Sequence, residues 1–415
     1  MVAAEVEGNG MRSYDVAVVG AGPAGLAAAL CLARSGVDAV LMAPDEHARP
    51  PDRRTTALLG DSVSLLKNIG VWRLAAASAT PLRGIRLVDD CDQIFRAPEI
   101  TFHAAELGLA DFGANIANQP LVEALVESVR QTANLTRVVG TVVRIRCEPD
   151  AVTLTLTDGS ELKARLLVAA DGRNSLARKA SGIDVETRPY PQSALAVSFA
   201  HAKEHHYVST ELHRRHGPLT SVPLRGRASS LVWVENPEEA LRLSRLPDAD
   251  FCTLLEDKLQ GLLGRIHDLG PRGVFPLSVL TAKQMGRNRV ALVGEAGHVM
   301  PPIGAQGLNL GLRDAAALAE IVAAARARGA DPGSDEVLSR YHAARSSDVL
   351  TRQVSIDLLN RSLLSDFLPP HALRGAGLHL LANIKPLREL VMRAGLGPRQ
   401  PLPALMQASH PSAAS

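Results

Sequence analysis

Along the chain, apolar residues fall first in short unbroken runs and at helical spacing, and these two patterns alternate. Asp15 to Val19 reads as a buried strand, and Leu26 to Arg34 continues as an Ala-rich helix. Ala39 to Ala43 is the next apolar run and predicts the second strand of a β-α-β unit. Between Asp52 and Trp72, apolar positions at Leu58, Val63, Leu65, Leu66 and Ile69 predict a helix that ends near Gly70. From Thr80 to Phe102 the pattern becomes strand-like, with Gly84 to Asp90, then a QIF run and EITFH. Asn118 to Thr132 returns to helical spacing at Leu121, Ala124, Leu125 and Val129. Arg137 to Arg146, Val152 to Thr157 and Glu161 to Val168 predict three strands, the last two joined at Asp158-Gly159. Pro189 to Phe275 alternates in period two and contains a helical stretch from Asp248 to Leu263, which predicts a sheet-based domain covering the first. Val290 to Val293 then forms a strand, and Leu308 begins a long amphipathic helix.

The loops between these elements carry the candidate chemistry. Gly20, Gly22 and Gly25 form G-x-G-x-x-G between a strand and a helix, the context in which the motif binds a dinucleotide. The first glycine makes a tight turn, the second admits a pyrophosphate to the backbone, and the third lets helix and strand pack closely. A second loop, Ala170-Asp171-Gly172-Arg173-Asn174-Ser175, again follows a strand and precedes a helix. The third runs from Gly294 and Glu295 through His298, Pro301 and Pro302 to Gly304 and Gly307. A carboxylate at such a strand end can bond a ribityl or ribose hydroxyl, and the helix that follows favours negative charge at its start. Asp52 and Arg54 form a polar cluster at an expected helix start, where the guanidinium is either a phosphate or ribose clamp or a surface charge.

Composition narrows the classes. The chain has 415 residues, 46% hydrophobic and 21% charged, enough for two or three globular domains. A net charge of +2 and 3% aromatics argue against a nucleic-acid partner. Cys31, Cys91, Cys147 and Cys252 make no C-x-x-C pair and read as core thiols of a reducing compartment. His201, His205, His206, His213 and His216 lack the spacing of a metal site, and no metal is expected. The uncharged stretch from Val16 to Ala33 has glycines and Pro23 inside it and no basic segment before it, so it reads as a buried strand and helix rather than a membrane span. Leu378 to Leu396 places Leu378, Leu381, Ile384, Leu387, Leu390 and Val391 at roughly helical spacing, with Lys385, Arg388 and Arg393 among them. Such a segment either rests on a membrane or packs on the nucleotide domain.

The order GAGPAG, D-x-R-x-x-A-L, ADGxxS and GExxH…P…GxxGLNLGLxDAxxLA resembles the FAD-dependent aromatic hydroxylases of the para-hydroxybenzoate hydroxylase fold, and within them the UbiH-type ubiquinone-biosynthesis monooxygenases. The resemblance runs from about Tyr14 to Met406. It implies an α/β fold with a Rossmann-like FAD-binding domain, an inserted mixed β-sheet substrate domain and C-terminal helices. The expected division is a disordered lead-in at 1–13, an FAD-binding domain at 14–79, 103–188 and 276–345, and a substrate domain at 80–102 and 189–275. A C-terminal helical region at 346–407 and a disordered tail at 408–415 complete it.

Carried over by motif, the resemblance implies that the turn Gly20, Gly22, Pro23, Ala24, Gly25 holds the FAD pyrophosphate and that Arg54 contacts the cofactor. Asp171 and Gly172 belong to a motif tied to FAD and NAD(P)H, and Gly294 and Glu295 lie toward the ribityl chain. Gly304, Gln306, Gly307, Leu308 and Asn309 lie beside the isoalloxazine, with the catalytic candidates His298 and Pro301 near the ring face. Two positions depart from the pattern. Ala43 stands where the family has a ribose-binding Glu, which leaves Asp45 or Glu46 as substitutes, and Glu295 replaces an Asp. The implied reaction is NAD(P)H reduction of flavin, addition of O₂ to give a flavin hydroperoxide, and oxygen transfer to the ring of a polyprenyl-phenol in ubiquinone biosynthesis. Alternatives are a flavin reductase, a halogenase, which the lack of a W-x-W pair disfavours, and a non-catalytic FAD-binding scaffold of a biosynthetic complex. A cytoplasmic protein is expected, with possible peripheral contact at the inner membrane face and membership of a multi-enzyme complex.

Overall fold

The computed structural model describes residues 12–45, 52–90, 99–364, 384–396 and 401–408. The first apolar run forms the strand Arg12–Val19, whose second half is fully buried, as an unbroken Val/Ala run requires when both faces of a sheet are covered. It pairs in parallel with Ala39–Ala43 on one side and Glu161–Ala169 on the other. Glu161–Ala169 in turn pairs in parallel with Val290–Leu292, and Leu135–Val139 pairs in parallel beyond Ala39–Ala43. Antiparallel strands Val142–Cys147, Val152–Leu156 and Gly286–Arg287 complete an eight-stranded sheet. The register sets Val19 beside Ala169 and Ala169 beside Leu292, so three strands end level with one another. All three glycine-bearing loops therefore leave the sheet at one edge.

Pro23–Arg34 and Gln306–Ala327 are the helices that cover this edge. Pro23 sits in the first turn of its helix, where a missing N–H costs nothing and its fixed φ favours the helix. Side chains at the crossing are reduced to the minimum: a Cβ on Gly311 would lie 3.2 Å from both Ala24 Cβ and Gly294 Cα. The Ala-rich and Gly-rich composition thus sets a close crossing, not merely helix propensity.

A second, nine-stranded sheet is mostly antiparallel. Its order is His298–Val299, Gly273–Ala282, Val185–His201, Ala228–Glu235, Leu219–Leu224, Val208–His213, Gly84–Asp89 and Ile100–His103, with Ile266–His267 paired to Val185–His201. One face packs Leu195, Leu212, Leu219, Leu231 and Trp233 against Phe251 and Leu255 of the helix Asp248–Lys258. A third, small sheet of Thr55–Leu59, Gly113–Ala117 and Ala79–Pro81 lies between the two. It is joined to the opposite face of the large sheet by Thr55 Oγ1 to Ser230 Oγ at 2.8 Å and Asn115 Nδ2 to the Pro223 carbonyl at 3.0 Å.

The structure corrects several sequence expectations. Leu58 belongs to the strand Thr55–Leu59, and the helix is Gly60–Asn68; β-branched Thr55 and Thr56 find an antiparallel partner in Gly113–Ala117. Asp52 and Arg54 accordingly precede a strand, not a helix. Arg137 to Arg146 is two strands broken at Gly140, whose N–H turns back to the Ala43 carbonyl at 2.9 Å. The C-terminal helix Lys385–Leu396 packs on the second sheet, with Met392 buried beside Ile100, Phe102 and Phe112 and Arg388 paired to Glu106 at 2.6 Å. The QIF run, Cys91 and 378–383 lie outside the described residues. Cys31 is buried, and burial pushes its thiol up to about 12; Cys147 and Cys252 are half-buried.

Candidate active site

At the first loop, Gly20 has φ +107°, and a Cβ there would lie 2.2 Å from the Ala170 carbonyl oxygen. Gly25 is equally constrained, since its Cβ would lie 2.0 Å from the Gly20 oxygen. Gly22, between them, has open space where a side chain would be. Two glycines thus let the backbone fold on itself and the middle one leaves a bare surface. That surface borders a cleft of about 540 Å³ lined by Gly20, Gly22, Met42, Gly140, Asp171 and Gly172, among others. A narrow, side-chain-free cradle at the start of Pro23–Arg34 fits a dinucleotide pyrophosphate, so the residues present suit FAD.

Met42 and Pro44 line this cleft, while Ala43 between them is buried in the strand and supplies only its carbonyl to Gly140. Asp45 is exposed just beyond the strand, outside the lining residues, and Glu46 lies outside the described residues. The carboxylate of Asp171 is directed to its own loop: Oδ1 accepts from the Ser175 hydroxyl at 2.5 Å and Oδ2 from the Ala177 N–H at 3.1 Å. Asp171 and Ser175 therefore brace the loop before the short helix Leu176–Ala180, and Gly172, at φ +82°, completes the turn. Arg178, almost fully buried, binds the second loop to the third by donating to the Arg173 and Ala296 carbonyls at 2.9 and 2.8 Å.

The third loop is held from behind by charge. Asp314, in the helix Gln306–Ala327, is wholly buried and accepts from the Gly294 N–H at 3.0 Å, His298 Nε2–H at 2.6 Å and Arg345 Nε at 2.7 Å. Burial pushes this carboxyl up, but His298 and Arg345 outweigh it and hold it at about 2. Arg345 and Arg313 share Asp348 at 2.9 and 2.8 Å, and Arg313 reaches Asp61 at 2.6 Å. His298 is thus an interior anchor, with its Nε2 committed to Asp314. Pro301 is buried in the loop that follows.

The helix start is shaped by Gly304 and Ala305, both left-handed at φ +65° and +54°. Asn309 locks it to the small sheet, accepting from the Leu59 N–H at 2.9 Å and donating to the Ala57 carbonyl at 2.8 Å. Arg352 of the long helix Asp335–Leu364 holds Gln306 through its Oε1 at 2.7 Å. Gly307 is exposed, and Leu308 is half-buried beside it. The first N–H groups of Gln306–Ala327 have no acceptor within the helix, and no side chain caps them, so they favour an anionic group at this point.

Arg54 stands at the border of the two sheets. Asp52 grips its Nε and NH2 at 2.8 Å each, Asn118 Nδ2 donates to Asp52 at 2.9 Å, and the guanidinium lies 5.0 Å from the Phe275 ring centre. Glu295, exposed in the third loop just beyond Val290–Leu292, adds to the charge that keeps Arg54 cationic, after the Asp52 hydrogen bond and against burial. Sequence reasoning missed the bracing residues Arg178, Arg313, Arg345, Asp314 and Asp348. Their only signal was charge inside helices that otherwise read as apolar, Arg313-Asp314 above all. Among the described residues, no group of three metal-ligating side chains comes together.

The family described as FAD binding domain matches residues 13–353. The chain is 33% identical over 397 residues to the ubiquinone hydroxylase UbiL of Rhodospirillum rubrum, covering 94% of this chain and 91% of that protein. It is 31% identical over 393 residues to 3-demethoxyubiquinol 3-hydroxylase of Escherichia coli, covering 92% and 98%. Among solved structures, p-nitrophenol 4-monooxygenase PnpA of Pseudomonas putida shares the fold at a TM-score of 0.74 and 22% identity, over 94% of this chain and 100% of that one.

Proposed function

We propose, from the premise that this chain belongs to the FAD-binding-domain family of FAD-dependent monooxygenases, that it hydroxylates the aromatic ring of a polyprenyl-phenol precursor of ubiquinone. The observation that carries this reading is the shared border of the two sheets. The third loop supplies both the end of Val290–Leu292 in the nucleotide sheet and the strand His298–Val299 at the edge of the second sheet, where His298 pairs with Thr281. A cofactor on the first sheet's edge and a substrate on the second sheet's face would meet there.

FAD supplies the redox and oxygen-transfer chemistry when bound, with NAD(P)H as the electron donor. The chain's part is placement. Gly20, Gly22 and Gly25, with Pro23 and Ala24, cradle the pyrophosphate, and Gly172 and the Asp171 backbone close the cleft opposite. Gly294 and Glu295 lie toward the ribityl chain. Gln306, Gly307, Leu308 and Asn309, following Gly304, present helix N–H groups to the ring, where they favour negative charge on reduction. His298 acts by fixing the loop that carries Pro301, and Arg54 bridges cofactor and substrate sides. Small-to-medium aliphatic side chains on the second sheet exclude water from the ring that reacts.

The test is the visible spectrum of the purified protein, followed by anaerobic reduction with NADPH or NADH and readmission of O₂ in the presence of a prenylated phenol. A yellow protein that yields a product heavier by one oxygen atom is expected. A colourless protein that takes up no added FAD would leave a scaffold in front, and reduction of a prenyl double bond without O₂ uptake would identify a reductase.

Peripheral contact with the inner face of the membrane, and work within a multi-enzyme complex in the cytoplasm, suit so apolar a substrate. Among the described residues no helix is long and apolar enough to cross a membrane. Leu350, Val354 and Leu358 are 58, 57 and 69% exposed at four-residue spacing along Asp335–Leu364, a face that supports surface contact. Replacing all three with Glu is expected to release the protein from sedimenting lipid vesicles without loss of FAD. Equal sedimentation of both proteins would rule this face out.

A further inference from the structure

The second sheet has two faces of opposite character: one is filled along its length by helices, and the other is covered at its ends by the small sheet and the C-terminal helix and only half-buried between them. Residues Leu195, Trp233, Leu219, Leu212 and Val88 lie in register across adjacent strands and pack on the helix Asp248–Lys258 and its neighbours. Alternation places the adjacent row on the other face. That row runs Gly273, Ala196, Val232, Thr220, Glu211, Leu87 and Ile100, each paired with the next. This is the face that meets the small sheet through Ser230 and Thr55, and the one from which Phe275 rises under Arg54. Ala196, Val232, Thr220 and Leu87 are only half-buried there.

Along this row the side chains change in order. Ala196 and Val232 form a low floor able to receive a flat ring, bounded at Gly273 by the Phe275 ring, which lies 2.9 Å from where a Cβ on that glycine would be. At the other end Leu87, half-buried, borders the apolar cluster of Ile100, Phe102 and Met392 and gives a hydrocarbon chain an apolar margin to lie along. Between them stands one acidic group. Glu211 accepts from His213 Nε2–H at 2.7 Å, and its other oxygen lies 3.5 Å from Thr220 Oγ1. The side chains of His213 and Glu211 are 6 and 14% exposed. With strands ~4.8 Å apart, Glu211 lies two strands, roughly 10 Å, from Val232, a span that a ring and its hydroxyl can bridge.

We infer that Glu211, oriented by His213, accepts the hydrogen bond of the substrate's ring hydroxyl, fixing the ring on the Ala196–Val232 floor with its apolar chain along Leu87. This rests on the functional reading above. The carboxylate draws the hydroxyl hydrogen toward itself and leaves more electron density on the ring oxygen, and no bond to hydrogen has to break for it to orient the ring. His213 supplies the N–H that holds Oε1, and Oε2, which meets only the long contact from the Thr220 hydroxyl at 3.5 Å, keeps a lone pair for the substrate. Neither residue belongs to the three loops that shape the nucleotide site, so the assignment separates substrate placement from cofactor binding.

The test uses the full-length FAD-loaded protein, a short-chain prenylated phenol and its methyl ether. E211Q is expected to keep its flavin and its rate of reduction. Its hydroxylation kcat should fall about 100-fold, with more NAD(P)H consumed per product. Its Kd for the phenol, read from the flavin absorbance change, should rise about tenfold, whereas the methyl ether binds both proteins alike because it has no hydrogen to donate. E211D restores part of the loss. If E211Q fails to hold FAD, H213F decides in its place: weaker discrimination between phenol and ether supports the assignment, and wild-type discrimination overturns it. Wild-type turnover by E211Q with an intact phenol preference overturns the role of Glu211 alone. A wild-type protein that hydroxylates no prenylated phenol overturns the functional reading, and this inference falls with it.

Discussion

Replacing Gly20 with Ala is expected to give a protein that purifies without flavin colour. The residue adopts φ +107°, a conformation that any side chain strains, and its new Cβ would sit 2.2 Å from the Ala170 oxygen and 2.5 Å from the Ala170 carbon. Neither atom can swing aside, because both belong to the backbone at the end of Glu161–Ala169, whose Ala170 N–H is bound to the Val19 carbonyl at 2.9 Å. Strain of this kind costs about 1–3 kcal/mol, and forced repacking adds a similar amount. The two strands that must separate are those that set the first and second loops level with each other. The cradle therefore opens at its base, and FAD affinity should fall by on the order of a thousandfold, because roughly 4 kcal/mol is about three powers of ten. Gly22→Ala is the control: its Cβ meets no protein atom within 4 Å. That variant should fold with wild-type stability and lose affinity only through crowding of the pyrophosphate. Flavin titration by fluorescence quenching, beside thermal unfolding of each apoprotein, separates the two. Equal FAD affinity in the wild type and Gly20→Ala would remove the first loop from the cofactor site.

The contrast between these two glycines shows what was legible before any coordinates. G-x-G-x-x-G, the strand before it and the helix after it follow from local pattern, and Ala39–Ala43 forms as its apolar run predicts. That Gly20 is pressed against Ala170, 150 positions along the chain, depends on parallel pairing of Arg12–Val19 with Glu161–Ala169, which no local window contains. The same limit explains the mistaken helix at Leu58. Its spacing suits a helix, but Gly113–Ala117 offers an open strand edge, and pairing outweighs a weak helical preference. It also explains why His298 invites a place at the ring face. Only the fold reveals that Asp314, sixteen residues on, turns back beneath the loop and takes its Nε2. The row proposed as the substrate floor was illegible for a further reason: Ala196, Val232, Thr220 and Glu211 come from four strands and share only a register.

Asp314→Asn is expected to cost more stability than any single change within the third loop that it holds. Asp314 receives three donors, two of them on side chains as buried as itself, and it is the group that ties Gly294 and His298 to the long helix through Arg345. An amide keeps the shape but offers one acceptor oxygen, and its NH₂ faces donors. Arg345 keeps Asp348, yet that carboxylate is already shared with Arg313. Removing one member of a buried ionic group costs about 3–5 kcal/mol, because the charge left behind stays out of water. The pH dependence gives a second, independent sign. The native carboxyl is held at about 2, below its value of about 3.9 in the unfolded chain. The stabilisation it gives is therefore essentially complete above about pH 4 and is lost as pH falls toward 2, a difference of roughly 2.5 kcal/mol by linkage. Asn cannot titrate, so the gap in denaturant midpoint between wild type and variant should be widest near pH 7 and narrow steadily below about pH 4. The flavin should respond as well. In the variant the single amide oxygen can serve either Arg345 or the Gly294 N–H and His298, but not both sides, and the loop that carries Glu295 and Pro301 loosens. Bound FAD should then leave the variant during gel filtration at a pH where the protein is still folded. A gap that stays constant from pH 7 to pH 3 would mean that the variant's defect is packing and not lost charge pairing. Stability equal to the wild type at pH 7 would show that Arg345, Asp348 and Arg313 hold the long helix on the nucleotide sheet without Asp314.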